Sequence, residues 1–417
     1  HSVVLLSNDG VLPLGRRQSP AKVALIGPNA DRSAALQGCY SFANHVLAAF
    51  PDHPVSIAIP TVSEALPGAF ERAGLPAPEI TSARGCDVEG DDRTGFAEAV
   101  EITAAADVAI VVVGDQAGLF GRGTVGEGND TQSLELPGVQ RELVQTLAGT
   151  GTPVVMVTIT GRPSAIDWAL DGSGPRPAAV LQSFFPGEGG GLAIADVITG
   201  VVNPSGRLPV SLPRSGGAQP YSYLQPILGG PSEVTSTDPT PLRPFGFGLS
   251  YTSFAYSELT TVADVPAGEH FDVEVTVTNT GDLPGADIVQ LYGRDLVGSV
   301  VRPVAQLLGY ARVELEPGQA RRVRFDVPTA RLAFSDRNLR KIVEPGEIQV
   351  WVGSHSAASG NGLPSVSTTN GAISNTGLSV AEPVVGCATS RATIEITGEV
   401  HLVTADNSRL VNVEVLD

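Results

Sequence analysis

The chain has 417 residues, which is longer than a single hydrophobic core usually extends, so we expect two domains. Apolar residues make up 42% and charged residues 17% of the composition, which excludes a disordered chain. The formal net charge of −18 argues against a nucleic-acid partner or an anionic membrane surface, because both require a basic face. No apolar run approaches the roughly 20 residues that would span a bilayer.

The first half of the chain alternates short apolar runs with helical patterns. Apolar runs bounded by Gly or Pro predict buried parallel strands, and they lie at 23–27, 108–113, 154–160 and 179–185. Amphipathic patterns predict helices at 62–72, 94–105, 137–147 and 192–198. We therefore expect residues 20–212 to form an α/β three-layer sandwich with a mostly parallel sheet.

The second half has a different period. Residues 213–251 are rich in Pro, Gly, Ser and Thr and predict an irregular connection. From residue 252 onward, alternating apolar and polar residues predict an all-β sandwich of roughly seven short strands. The clearest runs are 270–279 and 321–327. Residues near 356–390 contain many Ser, Gly, Asn and Thr, which predicts a surface insertion.

A glycine-rich loop at 118–138 follows the apolar run at 108–113 and carries Glu127 at its centre. This is the edge at which an open α/β sheet presents groups to a ligand. Five glycines between residues 118 and 128 permit backbone turns and a close approach to that ligand. A carboxylic acid in this position can act as a proton donor. The alternative is an ordinary glutamate on a solvated loop.

Four segments in series resemble the C-terminal half of the family 3 glycoside hydrolases, the β-glucosidases and β-xylosidases. One contains Gly-Glu-Gly-Asn-Asp, one Phe-Pro-Gly-Glu-Gly-Gly with Asn-Pro-Ser-Gly-Arg-Leu-Pro-Val, and one Pro-Phe-Gly-Phe-Gly-Leu-Ser-Tyr. The four segments lie at 2–14, 126–140, 185–210 and 244–254. The resemblance implies that the β-rich half is a fibronectin-III-like sandwich and that residues 1–19 lead out of a preceding barrel domain.

In that family the loop glutamate is the general acid/base, and Glu127 matches it. The family often has Arg where this chain has Thr131, which weakens any role for an arginine there. The stretch around Phe120 and Arg122 is similar to the bacterial β-xylosidase branch, so both are candidate walls of a small pentose subsite, with loop packing as the alternative. Asp115 could bond a sugar hydroxyl or cap the following turn.

A retaining glycosidase needs a second carboxylate as nucleophile. In the resembling family this is an aspartate on a (β/α) barrel that precedes the present region, and a barrel needs roughly 250 residues. We therefore expect a β-linked oligosaccharide or glycoside as substrate, the N-terminal barrel half of the same enzyme as partner, and no activity from the isolated chain. The alternatives are a non-catalytic carbohydrate-binding or assembly module, and an unrelated hydrolase that pairs Glu127 with Asp115 or Asp130.

No cofactor or metal is expected, because the six histidines are scattered without a helical pair. The three cysteines form no disulfide framework, although a bridge between Cys39 and Cys86 remains open. A nucleophilic pair of Cys39 with His45 is conceivable, but a buried thiol is the simpler interpretation. Glu188 opens a helix and is interpreted as stabilising its N-terminus. Secretion is slightly favoured over a cytoplasmic location for an enzyme that acts on plant polymers.

Overall fold

The computed structural model describes residues 1–47, 49–50, 52–53, 57–218, 222–230, 236–357, 364–367, 374–377 and 390–416. These residues form two compact units. The first comprises residues 1–206 and 213–216, and the second comprises residues 207–212 and those from 217 onward. Among the described residues, no helix combines the length and the apolar character needed to cross a membrane.

The first unit is built on a six-stranded sheet. Its strands are β1 (Val4–Asn8), β2 (Lys22–Ile26), β3 (Glu79–Ala83), β4 (Val108–Gly114), β5 (Val154–Ile159) and β6 (Ala179–Gln182). Their order across the sheet is β1-β6-β5-β4-β2-β3, with β2 to β6 parallel and β1 antiparallel to β6. All residues of β4, β5 and β6 are buried, which explains why these strands are continuous apolar runs.

Helices flank this sheet. They are α1 (Phe42–His45), α2 (Val62–Arg72), α3 (Phe96–Ala104), α4 (Gln140–Ala148), α5 (Asp167–Leu170) and α6 (Gly190–Thr199). The contacts of α2 with α6 and of α3 with α4 group the longer helices into two pairs. Thr61 and Glu64 form a reciprocal capping box at the start of α2, which is why this helix begins where the sequence predicts. The predicted α/β three-layer sandwich is confirmed.

Two features of the sheet differ from the sequence analysis. The predicted α/β domain begins at residue 20, whereas the sheet already includes β1 as an edge strand, with its apolar side chains buried beside β6. The edge strand β3 was not predicted. Its residues are mostly exposed and carry no continuous apolar run. This strand therefore lacks the apolar pattern that identifies the central strands.

The second unit is all β. Its strands are β7 (Phe254–Thr261), β8 (Asp264–Pro266), β9 (His270–Asn279), β10 (Gly285–Asp295), β11 (Gln306–Leu315), β12 (Ala320–Pro328), β13 (Phe334–Ser335), β14 (Lys341–Val343), β15 (Gly346–Gly353), β16 (Pro364–Ser367), β17 (Ser374–Gly377), β18 (Ser390–Thr397), β19 (His401–Leu402) and β20 (Asn412–Leu416). A five-stranded sheet β11-β10-β15-β18-β8 and a four-stranded sheet β20-β12-β9-β7 contribute to one apolar core.

The alternation of β9 explains this core. Val273, Val275 and Val277 are fully buried, and the residues between them are partly exposed, as expected for a strand with one face on a sandwich core. The strand pairings are antiparallel except for β8 with β18, which is parallel. The predicted fibronectin-III-like sandwich is confirmed. Within the predicted insertion, the described residues form the β16–β17 hairpin, and most of the rest lies outside the described residues.

Candidate active site

The candidate site lies at the carboxyl ends of β2 and β4. From β2 the chain proceeds to β3 on one side of the sheet, whereas from β4 it proceeds to β5 on the other. The two segments that follow these strands therefore diverge, and such a switch point leaves a crevice in which open α/β sheets bind ligands. The segment after β4 carries Glu127, and the segment after β2 carries Tyr40.

Residues 115–136, called the Glu127 loop below, fold back on themselves through backbone hydrogen bonds. The N–H of Gly118 donates to the carbonyl of Val125 at 3.0 Å, and that of Phe120 donates to the carbonyl of Glu127 at 2.8 Å. A Cβ atom at Gly118 would lie 1.4 Å from the carbonyl oxygen of Arg122. Only glycine therefore fits where the two limbs of the loop meet.

The base of the Glu127 loop is fastened by a buried carboxylate and an arginine. Asp115 is 3% exposed, and its Oδ1 and Oδ2 accept hydrogen bonds from the hydroxyl of Thr124 at 2.7 Å and the N–H of Gly161 at 2.9 Å. Arg162 donates to the carbonyls of Thr124 at 3.0 Å and Asn129 at 2.9 Å. Groups that follow β5 thus hold both limbs of the loop that carries Glu127.

Glu127 itself is exposed at the tip of this loop. Its Oε2 accepts a hydrogen bond from the hydroxyl of Tyr40, whose side chain is also exposed. This hydrogen bond is the main cause that raises the pKa of the Tyr40 phenol above its usual value of 10. The carboxylate is therefore accessible to a ligand and has a hydrogen-bond donor on one of its two oxygens.

Phe120 presents an aromatic ring beside Glu127. Its backbone φ of 53° lies in the left-handed region, which is uncommon for a bulky residue, and its side chain is 73% exposed. A Cβ atom at Gly128 would lie 3.4 Å from Cδ1 of Phe120, so the ring is next to the backbone that follows Glu127. Arg122 is exposed on the same loop. The structure therefore brings Phe120 and Arg122 onto the loop surface that carries the carboxylate.

The segment that carries Tyr40 is held by polar side chains. Nδ2 of Asn44 donates to the carbonyls of residues 34, 37 and 38 at 2.8–3.2 Å, which fixes the turn before Tyr40. At its base, Nδ2 of Asn29 donates to the carbonyl of Asp115 at 3.1 Å, and Arg32 donates to the side chain of Gln116 at 3.1 Å. The segments after β2 and β4 are thus linked near the sheet as well as at their tips.

A polar cavity of about 520 Å³ opens beside the Glu127 loop. Its lining includes Gly128, Asn129, Asp130 and Arg162, together with residues 133–138. Although several carboxylates line it, the described part of the chain contains no cluster of three His, Cys, Asp or Glu residues with the geometry of a metal site.

Cys39 and Cys86 are free thiols, so the bridge left open by the sequence is absent from this structure.

Sequence reasoning found the carboxylate but gave no role to two of its neighbours. Tyr40 lies in a Tyr-Ser-Phe stretch on a different segment. The resembling family often carries a similar stretch close to its active-site cleft, but the local pattern does not indicate that the hydroxyl reaches Glu127. Arg162 follows β5 directly, and parallel strands end at a common edge, so its position was a usable signal. Asp115 is expected either to bond a sugar hydroxyl or to play a structural role; each of its oxygens accepts one hydrogen bond from the protein, which supports the structural role, and the residue also lines the cavity.

An open α/β unit with an accessible glutamate at its switch point, followed by a fibronectin-III-like sandwich, is the arrangement that the resemblance noted in the sequence implies. The chain belongs to glycoside hydrolase family 3. The glycosyl hydrolase family 3 C-terminal domain matches residues 3–251, and a fibronectin type III-like domain matches residues 287–356. The resemblance noted in the sequence is thereby confirmed.

Relatives with curated functions include both expected activities. The chain is 36% identical over 365 residues to a β-xylosidase of Formosa agariphila, covering 86% of this chain and 47% of the relative. It is 33% identical over 380 residues to a periplasmic β-glucosidase of Salmonella typhimurium, covering 85% and 47%. A solved β-glucosidase from intestinal bacteria superposes with a TM-score of 0.77 at 28% identity, covering 95% of this chain and 53% of that structure. The chain spans about half the length of the curated relatives it matches.

Proposed function

We propose that this chain supplies the general acid/base, Glu127, of a retaining, exo-acting β-glycosidase that hydrolyses terminal non-reducing β-D-xylosyl or β-D-glucosyl residues. The observation that carries the proposal is the exposed carboxylate of Glu127 at the switch point of the α/β sheet. The names of the relatives, β-xylosidase and β-glucosidase, support the two sugars.

The nucleophile of this reaction is proposed to be an aspartate on a barrel half outside the present 417 residues. A retaining mechanism requires a second carboxylate about 5–5.5 Å from the acid/base. Asp115 is unsuited, because it is buried and both of its oxygens accept hydrogen bonds from neighbouring groups. The coverage of about half of each relative is consistent with a partner half of similar size. We therefore expect the isolated chain to be inactive.

In the proposed reaction, Glu127 transfers a proton in each of two steps. In the first, its carboxylic acid protonates the glycosidic oxygen while the aspartate attacks the anomeric carbon, which releases the aglycone and forms a glycosyl-enzyme. In the second, the Glu127 carboxylate takes a proton from water as the water attacks the same carbon, and the aspartate leaves. The exposed position of Glu127 gives it access to both the leaving group and the incoming water.

Phe120 and Arg122 are proposed to form one wall of the sugar subsite. The exposed ring of Phe120 offers an apolar face beside the carboxylate, and ligand pockets commonly combine such a face with a few polar groups. The stretch around these two residues resembles the bacterial β-xylosidase branch, and a β-xylosidase is 36% identical to this chain. We therefore place β-xylosides first among the substrates to be assayed.

Complementation tests the proposal as a whole. The chain is assayed on aryl β-xylosides and aryl β-glucosides alone and after mixing with the barrel half of the 36%-identical β-xylosidase. Hydrolysis that requires both halves supports the proposal. Hydrolysis by the isolated chain would contradict a nucleophile outside it. Sugar binding by the mixture without turnover would favour the alternative of a non-catalytic carbohydrate-binding module.

The role of Glu127 has a specific signature. Glu127→Gln should reduce hydrolysis of poor leaving groups by about 10²–10⁴-fold, while activated dinitrophenyl glycosides still form the glycosyl-enzyme. Added azide, which needs no general base, should then accelerate turnover and yield a glycosyl azide with retained configuration. Glu98→Gln, on the exposed face of α3, is the matched control and should behave as wild type. Absence of azide rescue in Glu127→Gln would reject the assignment.

A further inference from the structure

We infer that Tyr40 is a positioning residue for Glu127: its hydroxyl holds Oε2 and leaves Oε1 to exchange the proton with the substrate. The inference rests on the proposed function of Glu127 and goes beyond it by naming which oxygen reacts and what orients it. The two residues lie 87 positions apart in the sequence, on the segments that follow β2 and β4.

The chain is folded so that these two segments meet at their tips. A Cβ atom at Gly126 would lie 2.8 Å from Cβ of Cys39, the residue before Tyr40. The backbone of Gly126, next to Glu127, therefore lies against the side chain of Cys39, next to Tyr40, and a side chain at residue 126 would collide with it. The Asn44 hydrogen bonds fix the turn before Tyr40, and Arg162 fixes the limbs of the Glu127 loop. Both partners of the Tyr40–Glu127 hydrogen bond are thus held independently of that bond.

An exposed carboxylate needs such a partner to hold one orientation. The terminal torsion of a glutamate is broad and roughly two-fold, so a carboxyl group without a partner presents either oxygen in many directions. A hydrogen-bond donor on one oxygen selects an orientation and reserves the other oxygen for the reaction. Misplacement of a catalytic group by about 1 Å can lower the rate about 10²-fold. Loss of the orienting hydrogen bond should therefore lower the rate of hydrolysis measurably.

The phenol is suited to remain the donor at neutral pH. The groups that face it are Glu127, Cys39 and His45, whose imidazole meets the Tyr40 ring edge-on at 6.1 Å between centroids. The hydrogen bond to Glu127 is the largest of the causes that raise the Tyr40 pKa. Tyr40 therefore keeps its proton throughout the range in which glycosidases of this kind work, and it orients the carboxylate without supplying the reacting proton.

The first test compares leaving groups in the barrel-complemented chain. Tyr40→Phe should lower kcat/KM about 10- to 100-fold for alkyl glycosides, which need protonation, and have little effect on dinitrophenyl glycosides. In combination with Glu127→Gln it should cause no further loss, because the two residues act as one unit. Tyr310→Phe removes the same hydroxyl from a similarly exposed tyrosine on β11 and should match wild type.

The outcomes separate this inference from the function on which it rests. If Glu127→Gln lacks azide rescue, the proposed function is rejected. If Glu127→Gln is rescued but Tyr40→Phe equals wild type with every leaving group, only the role of Tyr40 is rejected. An equal loss with all leaving groups, or a change confined to KM, would mean that Tyr40 contacts the sugar and would also overturn the inference.

A second measurement requires no turnover and uses the 417-residue chain alone. Ultraviolet difference titration follows the ionisation of its seven tyrosines. Glu127→Gln replaces the charged acceptor that raises the Tyr40 pKa with a neutral amide, so one tyrosine should ionise at a lower pH than in wild type. The difference should vanish when Tyr40→Phe is present in both chains. Identical titrations of wild type and Glu127→Gln would show that the hydrogen bond is absent and overturn the inference.

Discussion

Asp115 shows at the residue scale how a buried carboxylate can hold the loop that carries the proposed acid/base. Its two oxygens join the hydroxyl of Thr124 and the N–H of Gly161, so it connects the Glu127 loop to the segment after β5. Such charge-assisted hydrogen bonds are stronger than neutral ones, and a buried donor that loses its acceptor is costly.

Asp115→Asn tests this role. A neutral amide replaces a charged acceptor, which weakens the bond from the N–H of Gly161 and makes the Thr124 hydroxyl turn to accept from the new NH₂ group, so we expect a loss of about 1.5–3 kcal/mol in the free energy of unfolding. Urea unfolding followed by circular dichroism measures it. Asp130→Asn, on the exposed part of the same loop, is the control and should change stability little. Unchanged stability of Asp115→Asn, together with weaker sugar binding, would restore Asp115 as a substrate ligand.

At the scale of elements, the Glu127 loop depends on positions where no side chain fits. A methyl group at Gly118 would coincide with the carbonyl of Arg122, which is backbone and cannot rotate away. Gly118→Ala should therefore separate the limbs of the loop and lower kcat by about 10²-fold in the barrel-complemented chain. Gly174→Ala, at a glycine with no neighbour within 4 Å, is the control. Equal activity of the two variants would show that the loop does not need its close backbone approach.

The junction of β4 with α4 is held by a single buried side chain. Oε1 of Gln140 accepts from the N–H of Gly114 at 2.7 Å, while its Nε2 donates to the carbonyls of Gly114 at 2.8 Å and Val88 at 3.0 Å. Gln140→Met leaves these buried groups unpaired and should cost about 2–4 kcal/mol in urea unfolding. Gln145→Met, on the same helix but only half-buried, should cost less than about 1 kcal/mol. Similar losses in both would refute the assigned role of Gln140.

The elements that the sequence predicted are those whose burial leaves a periodic pattern. β4 and β5 are buried on both faces and are apolar throughout, and β9 alternates because one face is on the sandwich core. The exposed edge strand β3 leaves no such pattern. The same limit applies to the site. Glu127 could be found because its loop is glycine-rich and follows a strand, whereas its contact with Tyr40 depends on how two distant segments meet, which no local pattern records.

At the scale of the whole molecule, the chain consists of two units with separate buried cores. Each unit contains one of the two tryptophans: Trp168 is buried in the first and Trp351 in the second. A Trp168→Phe background therefore leaves a fluorescence reporter for the second unit alone. Its unfolding can then be measured without a contribution from the unit that carries Glu127.

This reporter makes an acid sensitivity of the second unit testable. Burial, with a smaller contribution from Arg207, lowers the pKa of His355 to about 4, compared with 6.5 for an exposed histidine. Between these pH values the unfolded chain binds a proton that the folded unit does not, so the free energy of unfolding falls as the pH drops through this window. The loss at pH 4.5 should reach about 2–3 kcal/mol relative to pH 7.

Urea unfolding of the Trp168→Phe chain, followed by Trp351 fluorescence, measures this loss. The control is the same chain with His355→Phe, which cannot take up the proton. The acid loss should be larger in the chain that keeps His355 than in this control. Equal acid losses with and without His355→Phe would mean that other groups, and not this buried imidazole, set the acid stability of the second unit.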